Sequence, residues 1–267
     1  MSAFLKQLRN ALCGWWQQHA QQQGVVGASA LLMRELWGFL RESTPGRRRQ
    51  RYGDMDYDWE HRVNTTSGTV GWRERLLGVF LSPYQPTDPA LFAEMMASLP
   101  IDFCKFTFVD LGSGKGRTLL MASEYPFQKI IGVEILPELH RAAEENVGIY
   151  QGLAASARQH GDAETRQAAS LPQRGSSIHC ICGDAQRYEF PAEPLVLYLF
   201  NPVSETGLAR VLGNLERSLR EHPREVYVLY HNPLLEHVLG GTMWLRKVAG
   251  THQFAVYTAL IPGAHPI

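Results

Sequence analysis

The chain has 267 residues, of which 45% are hydrophobic and 19% are charged, so it can build the core of one ordinary globular domain plus an extension. Its formal net charge is zero, which excludes a global electrostatic field that would draw it to nucleic acid or to a membrane surface. Its four cysteines have neither the spacing of a metal site nor that of a disulfide framework, so we expect no metal.

The N-terminal region predicts helices and a linker. Apolar residues recur at helical spacing over residues 2–40, with a break near Gln21–Gly24, which predicts two helices. A polar stretch with a Pro-Gly pair follows over 41–51 and carries an arginine cluster, Arg47, Arg48, Arg49 and Arg51. We therefore expect an N-terminal helical extension and linker over 1–50, a lid and pre-core helix over 51–105, and a binding domain over 106–267.

From residue 106 onward, strands and helices alternate, as they do in a doubly wound, mostly parallel α/β sheet. A capped helix over 88–98 precedes this region, and residues 151–176 read as a helix extension followed by a surface insertion. Cys180 and Cys182 alternate along one strand, which predicts that both are small core residues. The predicted strands are 106–110, 129–134, 178–183, 195–200, 225–231, 243–248 and 253–260, and the predicted helices are 115–124, 137–150, 205–220 and 233–239.

The most informative segment is FTFVDLGSGKGR, residues 106–117, in which a strand breaks into a glycine turn that leads into a helix. The glycines do not match the dinucleotide fingerprint, because the position of its third glycine holds Arg117. They do not match a phosphate-binding P-loop either, because Gly116 stands where Ser or Thr is required. The next strand ends in Glu134, whose carboxylate can accept hydrogen bonds from a ribose diol. We predict a nucleotide-like cofactor held by Asp110, Gly112, Ser113, Gly114, Gly116 and Glu134.

The pattern Asp-x-Gly-x-Gly-x-Gly resembles that of the class I, seven-strand, S-adenosylmethionine-dependent methyltransferases. The segments IIGVEILPELHRAAEENV, CGDA, LYLFNPV and YVLYHNP are similar to a bacterial group within that class. The resemblance implies S-adenosyl-L-methionine as the cofactor and a Rossmann-like sheet of seven strands in which the closing hairpin makes one strand antiparallel. It also implies that Asp110 holds the cationic amine of the cofactor and that Asp184 faces the adenine amino group. The alternative for Asp184 is a helix N-cap.

Fewer residues indicate how the methyl acceptor is bound. The resemblance implies that Asn201, in Asn201-Pro202-Val203, lies beside the substrate, where its carbonyl can orient an amine. Val203 replaces the aromatic residue with which nucleobase methyltransferases stack a flipped base. His231, at the end of the fifth strand, is a second candidate catalytic residue, as a general base near neutral pH or merely as a polar rim residue. The segment 57–87 is expected to cover the cofactor as a lid.

These residues predict a methyltransferase that acts on an amine of a protein side chain or of a small molecule. Two alternatives remain, namely a nucleic-acid methyltransferase in which the arginine cluster holds phosphates, and a catalytically silent cofactor-binding protein. No stretch of eighteen apolar residues or secretory leader is evident, so we expect a cytoplasmic protein, and a monomer or weak dimer.

Overall fold

The computed structural model describes residues 3–42, 56–66, 76, 85–160 and 177–260. The arginine cluster at Arg47, Arg48, Arg49 and Arg51, the lid residue Tyr84 and the predicted insertion over 161–176 lie outside the described residues. The chain divides into two compact units, one that contains the N-terminal helix and one that contains the sheet and residues Trp59–Thr65.

The first unit is represented mainly by α1, Ala3–Glu42. Gly24 interrupts this helix with φ of 72° and ψ of 170°, so two helical arms meet where the sequence predicts a break. Trp15 in the first arm and Ala28 in the second are buried, whereas much of the second arm is exposed. None of the described helices is long and apolar enough to cross a membrane.

The second unit is a seven-strand sheet with the order β3-β2-β1-β4-β5-β7-β6. Its strands are β1 Thr107–Leu111, β2 Lys129–Glu134, β3 Ser177–Cys182, β4 Leu195–Leu199, β5 Val226–His231, β6 Leu245–Gly250 and β7 Phe254–Ala259. The helices that follow α1 are α2 Asp56–His61, α3 Pro89–Ala97, α4 Arg117–Ala122, α5 Pro137–His160, α6 Glu205–Glu221 and α7 Glu236–Gly240. The first of these, α2, begins in the first unit, and the others belong to the second.

The sheet confirms the predicted fold class. All seven predicted strands are present, each within two residues of its expected bounds. Strands β1 to β5 pair in parallel, and β7 pairs antiparallel with both β5 and β6, so β7 is the reversed strand of the closing hairpin. Every residue of β1 and β4 is buried, as expected for the central strands of a parallel sheet covered on both faces.

Strand β3 corrects one expectation. It lies at an edge of the sheet, where Cys182 is exposed and Cys180 is only partly buried. The two cysteines do alternate along β3, but every residue of this edge strand is exposed or only partly buried, so the face that they share is not part of the core. The predicted core role of both cysteines is therefore wrong.

Candidate functional site

The site is built on the turn between β1 and α4. Gly112, Gly114 and Gly116 all have positive φ, at 88°, 54° and 84°, a region that glycine enters without the steric penalty of other residues. A Cβ added to Gly112 would lie 2.7 Å from Cβ of Pro202, which follows β4. The turn is therefore closely packed against the end of the neighbouring strand, and α4 can begin only after Gly116.

The peptide N–H groups of this turn bond within the protein. Those of Gly112 and Ser113 both donate to the carbonyl oxygen of Val133, at 2.8 and 3.1 Å. The N–H of Gly114 donates to Oε2 of Glu134 at 2.9 Å. A phosphate-binding loop instead turns its N–H groups toward the ligand. The geometry thus agrees with the exclusion of a P-loop and favours a ligand without a pyrophosphate.

Asp110 is a buried carboxylate beneath this turn, with 2% of its surface exposed. Thr118 donates a hydrogen bond from Oγ1 to Oδ2 of Asp110, while Oδ1 accepts none from any described residue. No described cation pairs with Asp110. Burial raises the pKa of Asp110 to about 7, with the nearby charge of Glu134 adding to the rise and the Thr118 hydrogen bond opposing it. Such a carboxylate gains most from a ligand that brings a positive charge.

Glu134 links the end of β2 to the glycine turn. Its Oε1 accepts a hydrogen bond from the N–H of Leu136 at 2.8 Å, in addition to the bond from Gly114 to Oε2. Burial raises the pKa of Glu134, and the nearby backbone N–H groups of Leu136, Gly114 and Ile135 oppose that rise. Each carboxylate oxygen can accept a further hydrogen bond. Glu134 therefore has a structural role that the sequence did not reveal and still retains acceptor capacity for a ligand.

Asp184 follows β3 and caps the short 3₁₀ turn Ala185–Arg187. Its Oδ1 accepts a hydrogen bond from the N–H of Gln186 at 2.9 Å, which is the capping alternative considered from the sequence. Its Oδ2 lies 3.9 Å from Nε of the exposed Arg187. One oxygen of Asp184 is therefore committed to the cap, and the other has only a long contact at the protein surface.

Asn201 is held in a restrained conformation at the end of β4. Asn201 and Asn232 both have φ of 46°, and each precedes a proline. Nδ2 of Asn201 donates to the carbonyl oxygen of Asn232 at 2.8 Å, and Oδ1 accepts from the hydroxyl of Tyr230 at 2.7 Å. Positive φ at a residue other than glycine costs on the order of 1–3 kcal/mol and is concentrated at functional sites. The Asn201 amide is thus oriented by β5, with one N–H and one carbonyl lone pair still free of these two bonds.

His231, at the end of β5, is largely buried. Its Nδ1 lies 2.8 Å from the hydroxyl of Tyr198, which lies 2.7 Å from Oγ1 of Thr87. The ring of Phe200 is tilted by 33° over the imidazole, with 3.9 Å between the ring centroids. Burial lowers the pKa of His231 to about 4, against the smaller opposing effect of Asp88. The ring is uncharged at neutral pH and is a weaker base than an ordinary histidine, and a general-base role for His231 stays a prediction.

Hydrogen bonds that involve polar side chains attach residues 64–65 to the glycine turn and to the start of α4. The sequence did not predict these bonds. The buried amide of Asn146 accepts from the N–H of Asn64 at 2.8 Å and donates to the carbonyl oxygens of Asn64 and Lys115, both at 3.0 Å. Nζ of Lys115 donates to Oδ1 of Asn64 at 3.3 Å, and Nε of Arg117 donates to Oγ1 of Thr65 at 2.7 Å. These bonds attach part of the predicted lid segment to the turn, while closure of the lid over a cofactor stays a prediction.

Most of the predicted site residues lie at the carboxyl ends of the parallel strands. Strands β3, β2, β1, β4 and β5 are adjacent and parallel, so their carboxyl ends lie side by side. Asp110 and Glu134 belong to two of these strand ends, and Asp184 follows a third. Asn201 and His231 mark the remaining two, on the other side of β1. In sheets of this kind, the ligand crevice lies outside these carboxyl ends.

No protein-family model matches the chain, and neither does any curated protein. Among solved structures it is similar to an RNA methyltransferase from Salinibacter ruber in complex with S-adenosyl-L-homocysteine, at 21% identity over 68% of this chain and 96% of that one, with a TM-score of 0.39.

Two further solved structures show similar values. A ribosomal protein L11 methylase from Lactobacillus delbrueckii subsp. bulgaricus has 14% identity over 64% of this chain and 75% of its own, with a TM-score of 0.39. A putative methyltransferase from Pseudomonas syringae has 10% identity over 63% of this chain and 94% of its own, with a TM-score of 0.41. Likeness at this level is too weak to bear on what this chain binds or does.

The buried Asp110 predicts how stability depends on pH in the ligand-free protein. Its pKa in the folded protein, about 7, exceeds the ordinary value of 3.8, so the folded state binds the proton more tightly than the unfolded state. Relative to Asp110→Asn, wild-type stability should therefore be greatest below about pH 4 and should fall by about 4 kcal/mol as the pH rises through 7. Urea unfolding of both proteins from pH 4 to pH 8 measures this difference. A constant difference across the range would contradict the account of Asp110.

Proposed function

We propose that this protein is an S-adenosylmethionine-dependent methyltransferase that methylates an amine on a protein side chain or a small molecule. The main support for this proposal comes from Asp110, which is a buried carboxylate with one oxygen that accepts no hydrogen bond and with no cationic partner among the described residues. It lies beneath a glycine turn whose internally bonded N–H groups do not suit a phosphate. A cationic, pyrophosphate-free nucleoside such as S-adenosyl-L-methionine meets both conditions.

The residues at the strand ends suit the other parts of this cofactor. Glu134 has acceptor capacity left on both oxygens and is held rigidly by two backbone N–H groups, which suits a ribose diol. Ile135, directly after it, is 45% exposed and offers an apolar surface to a flat base. Asp184 keeps one oxygen for the adenine amino group. Ser113 and the three glycines of the turn allow close approach of the ligand to the backbone.

The acceptor is assigned to the crevice beyond β4 and β5. When bound, S-adenosyl-L-methionine supplies a methyl group on a positively charged sulfur, and in-line attack by an unprotonated amine forms the N–C bond as the C–S bond breaks. The remaining lone pair of Asn201 Oδ1 can accept a hydrogen bond from the amine and orient it. The uncharged His231 can bind the acceptor molecule without repelling a cation. Positioning of this kind supplies up to about 7–11 kcal/mol of a reaction barrier in favourable cases.

The nucleic-acid alternative has less support. Val203 lies where nucleobase methyltransferases carry the aromatic residue that stacks a flipped base. The arginine cluster that would hold phosphates belongs to the part of the chain outside the described residues. A silent cofactor-binding protein would have no need of the restrained Asn201 and Asn232 at the acceptor side. We propose that the enzyme acts in the cytoplasm, as a monomer or weak dimer.

Cofactor binding is testable by thermal shift. We expect S-adenosylhomocysteine and S-adenosylmethionine to stabilise the protein by about 2.7 kcal/mol at a hundredfold excess over Kd, and NAD to give no shift. Asp110→Asn keeps the shape and the Thr118 hydrogen bond but removes the negative charge, so it should abolish most of the shift. Glu216→Gln changes an exposed ion pair with Arg220 on α6 and should leave the shift intact. Stabilisation by NAD alone would overturn the cofactor assignment.

The acceptor class is testable with methyl-labelled S-adenosylmethionine and a cell lysate. We expect label to enter protein or small amines with the wild-type enzyme and to be absent with Asp110→Asn. Each lysate is treated with protease or with nuclease before fractionation, which separates the candidate acceptors. Label that nuclease releases would show a nucleic-acid methyltransferase instead. No transfer by a protein that still binds the cofactor would indicate the silent alternative.

A further inference from the structure

A buried line of three side chains ends at the acceptor side of the crevice. Thr87, with 2% of its surface exposed, contacts the Tyr198 hydroxyl, and Tyr198 contacts Nδ1 of His231. Tyr198 lies on β4 in register with Asp110 on β1, so the line begins next to the cofactor side and runs toward β5. In the contact between Thr87 and Tyr198, either hydroxyl can be the donor. In the contact between Tyr198 and His231, Nδ1 accepts in one tautomer of the ring and donates in the other.

Only one direction of these two hydrogen bonds gives every buried hydrogen an acceptor. The Thr87 hydroxyl has one hydrogen to donate, and Tyr198 is its only partner among the described residues. If Thr87 donates to Tyr198, then Tyr198 donates to Nδ1 of His231, and every buried hydrogen in the line has an acceptor. The opposite direction would leave the Thr87 hydrogen buried without an acceptor, which is costly. Nδ1 of His231 is therefore the acceptor, and the ring proton resides on Nε2.

Nε2 of His231 has no hydrogen-bond partner among the described residues of the protein. The side-chain atoms of these residues that are both fully buried and without a hydrogen-bond partner do not include this nitrogen, so Nε2 is not fully enclosed. The next residue, Asn232, accepts the bond from Asn201 Nδ2, which places His231 at the same strand ends as Asn201. The charged groups that act on this line are Asp88 and Asp110, and burial outweighs Asp88 to keep the imidazole uncharged at neutral pH.

We propose that Tyr198 and Thr87 position His231 as a hydrogen-bond donor, with Nε2–H presented to the methyl acceptor, rather than as a base. The identity of this crevice as the acceptor side rests on the proposed function. A donor cannot hold the lone pair of the reacting amine without blocking its attack. The acceptor molecule therefore carries a second group beside the amine, a carbonyl, carboxylate or hydroxyl oxygen, to which Nε2–H donates. Tyr198 is a positioning residue in this scheme, because it acts through His231.

The tautomer is measurable without knowledge of the acceptor. Protein labelled with ¹⁵N-histidine, with S-adenosylhomocysteine added, is studied by long-range ¹H–¹⁵N spectra, and His231 is assigned from the signals lost in His231→Gln. We expect an unprotonated Nδ1 and a protonated Nε2 between pH 6 and pH 8. Tyr198→Phe removes the donor to Nδ1 and should introduce the other tautomer. Tyr227→Phe, on β5 four residues before His231, should leave the His231 signals unchanged.

A protonated Nδ1 with free Nε2, or a cationic ring at pH 7, in the wild-type protein would overturn the inference. So would unchanged His231 signals in a folded Tyr198→Phe variant. Failure of S-adenosylhomocysteine to bind would instead contradict the proposed function, because the tautomer can be read in the ligand-free protein. The two failures are therefore distinguishable.

Label transfer gives a second, independent readout. Glutamine carries a side-chain N–H₂ and cannot act as a base, so His231→Gln should retain most of the transfer seen in the lysate experiment. His231→Leu, which has no donor, should lower transfer by about tenfold or more. Equal loss in both variants, with cofactor binding intact, would indicate that His231 works as a base and would overturn the inference.

Discussion

The two hydrogen bonds that Glu134 accepts from backbone N–H groups hold the site together. They join the end of β2 to the glycine turn after β1, so the turn cannot rearrange without leaving buried groups unpaired. The turn in turn packs against Pro202 after β4, next to Asn201. The geometry of both sides of the crevice therefore depends on one carboxylate, which burial would otherwise make costly to ionise.

Two neighbouring carboxylates have different tasks because their surroundings differ. Glu134 accepts hydrogen bonds from two backbone N–H groups, whereas Asp110 has a single hydroxyl partner, from Thr118. Asp110 is thus the strained member of the pair, and a bound cation would relieve it. At the ends of β4 and β5, Asn201 and Asn232 also have a strained backbone, with positive φ.

The fold was largely predictable from the sequence, because apolar runs and turn residues record local structure. The glycine turn, the seven strands and the break at Gly24 all follow from neighbouring residues. The contacts that refine the site do not, because they join distant parts of the chain. Thr87 and Tyr198 are 111 residues apart, and Asn64 and Asn146 are 82 apart. The edge position of β3 and the burial of His231 likewise depend on strand order, which a single local pattern does not reveal.

In the proposed function, Asp110 must ionise to hold the cationic amine of S-adenosylmethionine or of its product. Calorimetric titration with S-adenosylhomocysteine, in two buffers of different ionisation enthalpy, counts the protons released on binding. Because the pKa of Asp110 is about 7 in the ligand-free protein, the account predicts release of about one proton at pH 6, little release at pH 8, and tighter binding at the higher pH. Binding with no proton release at pH 6 and the same Kd at both pH values would contradict it.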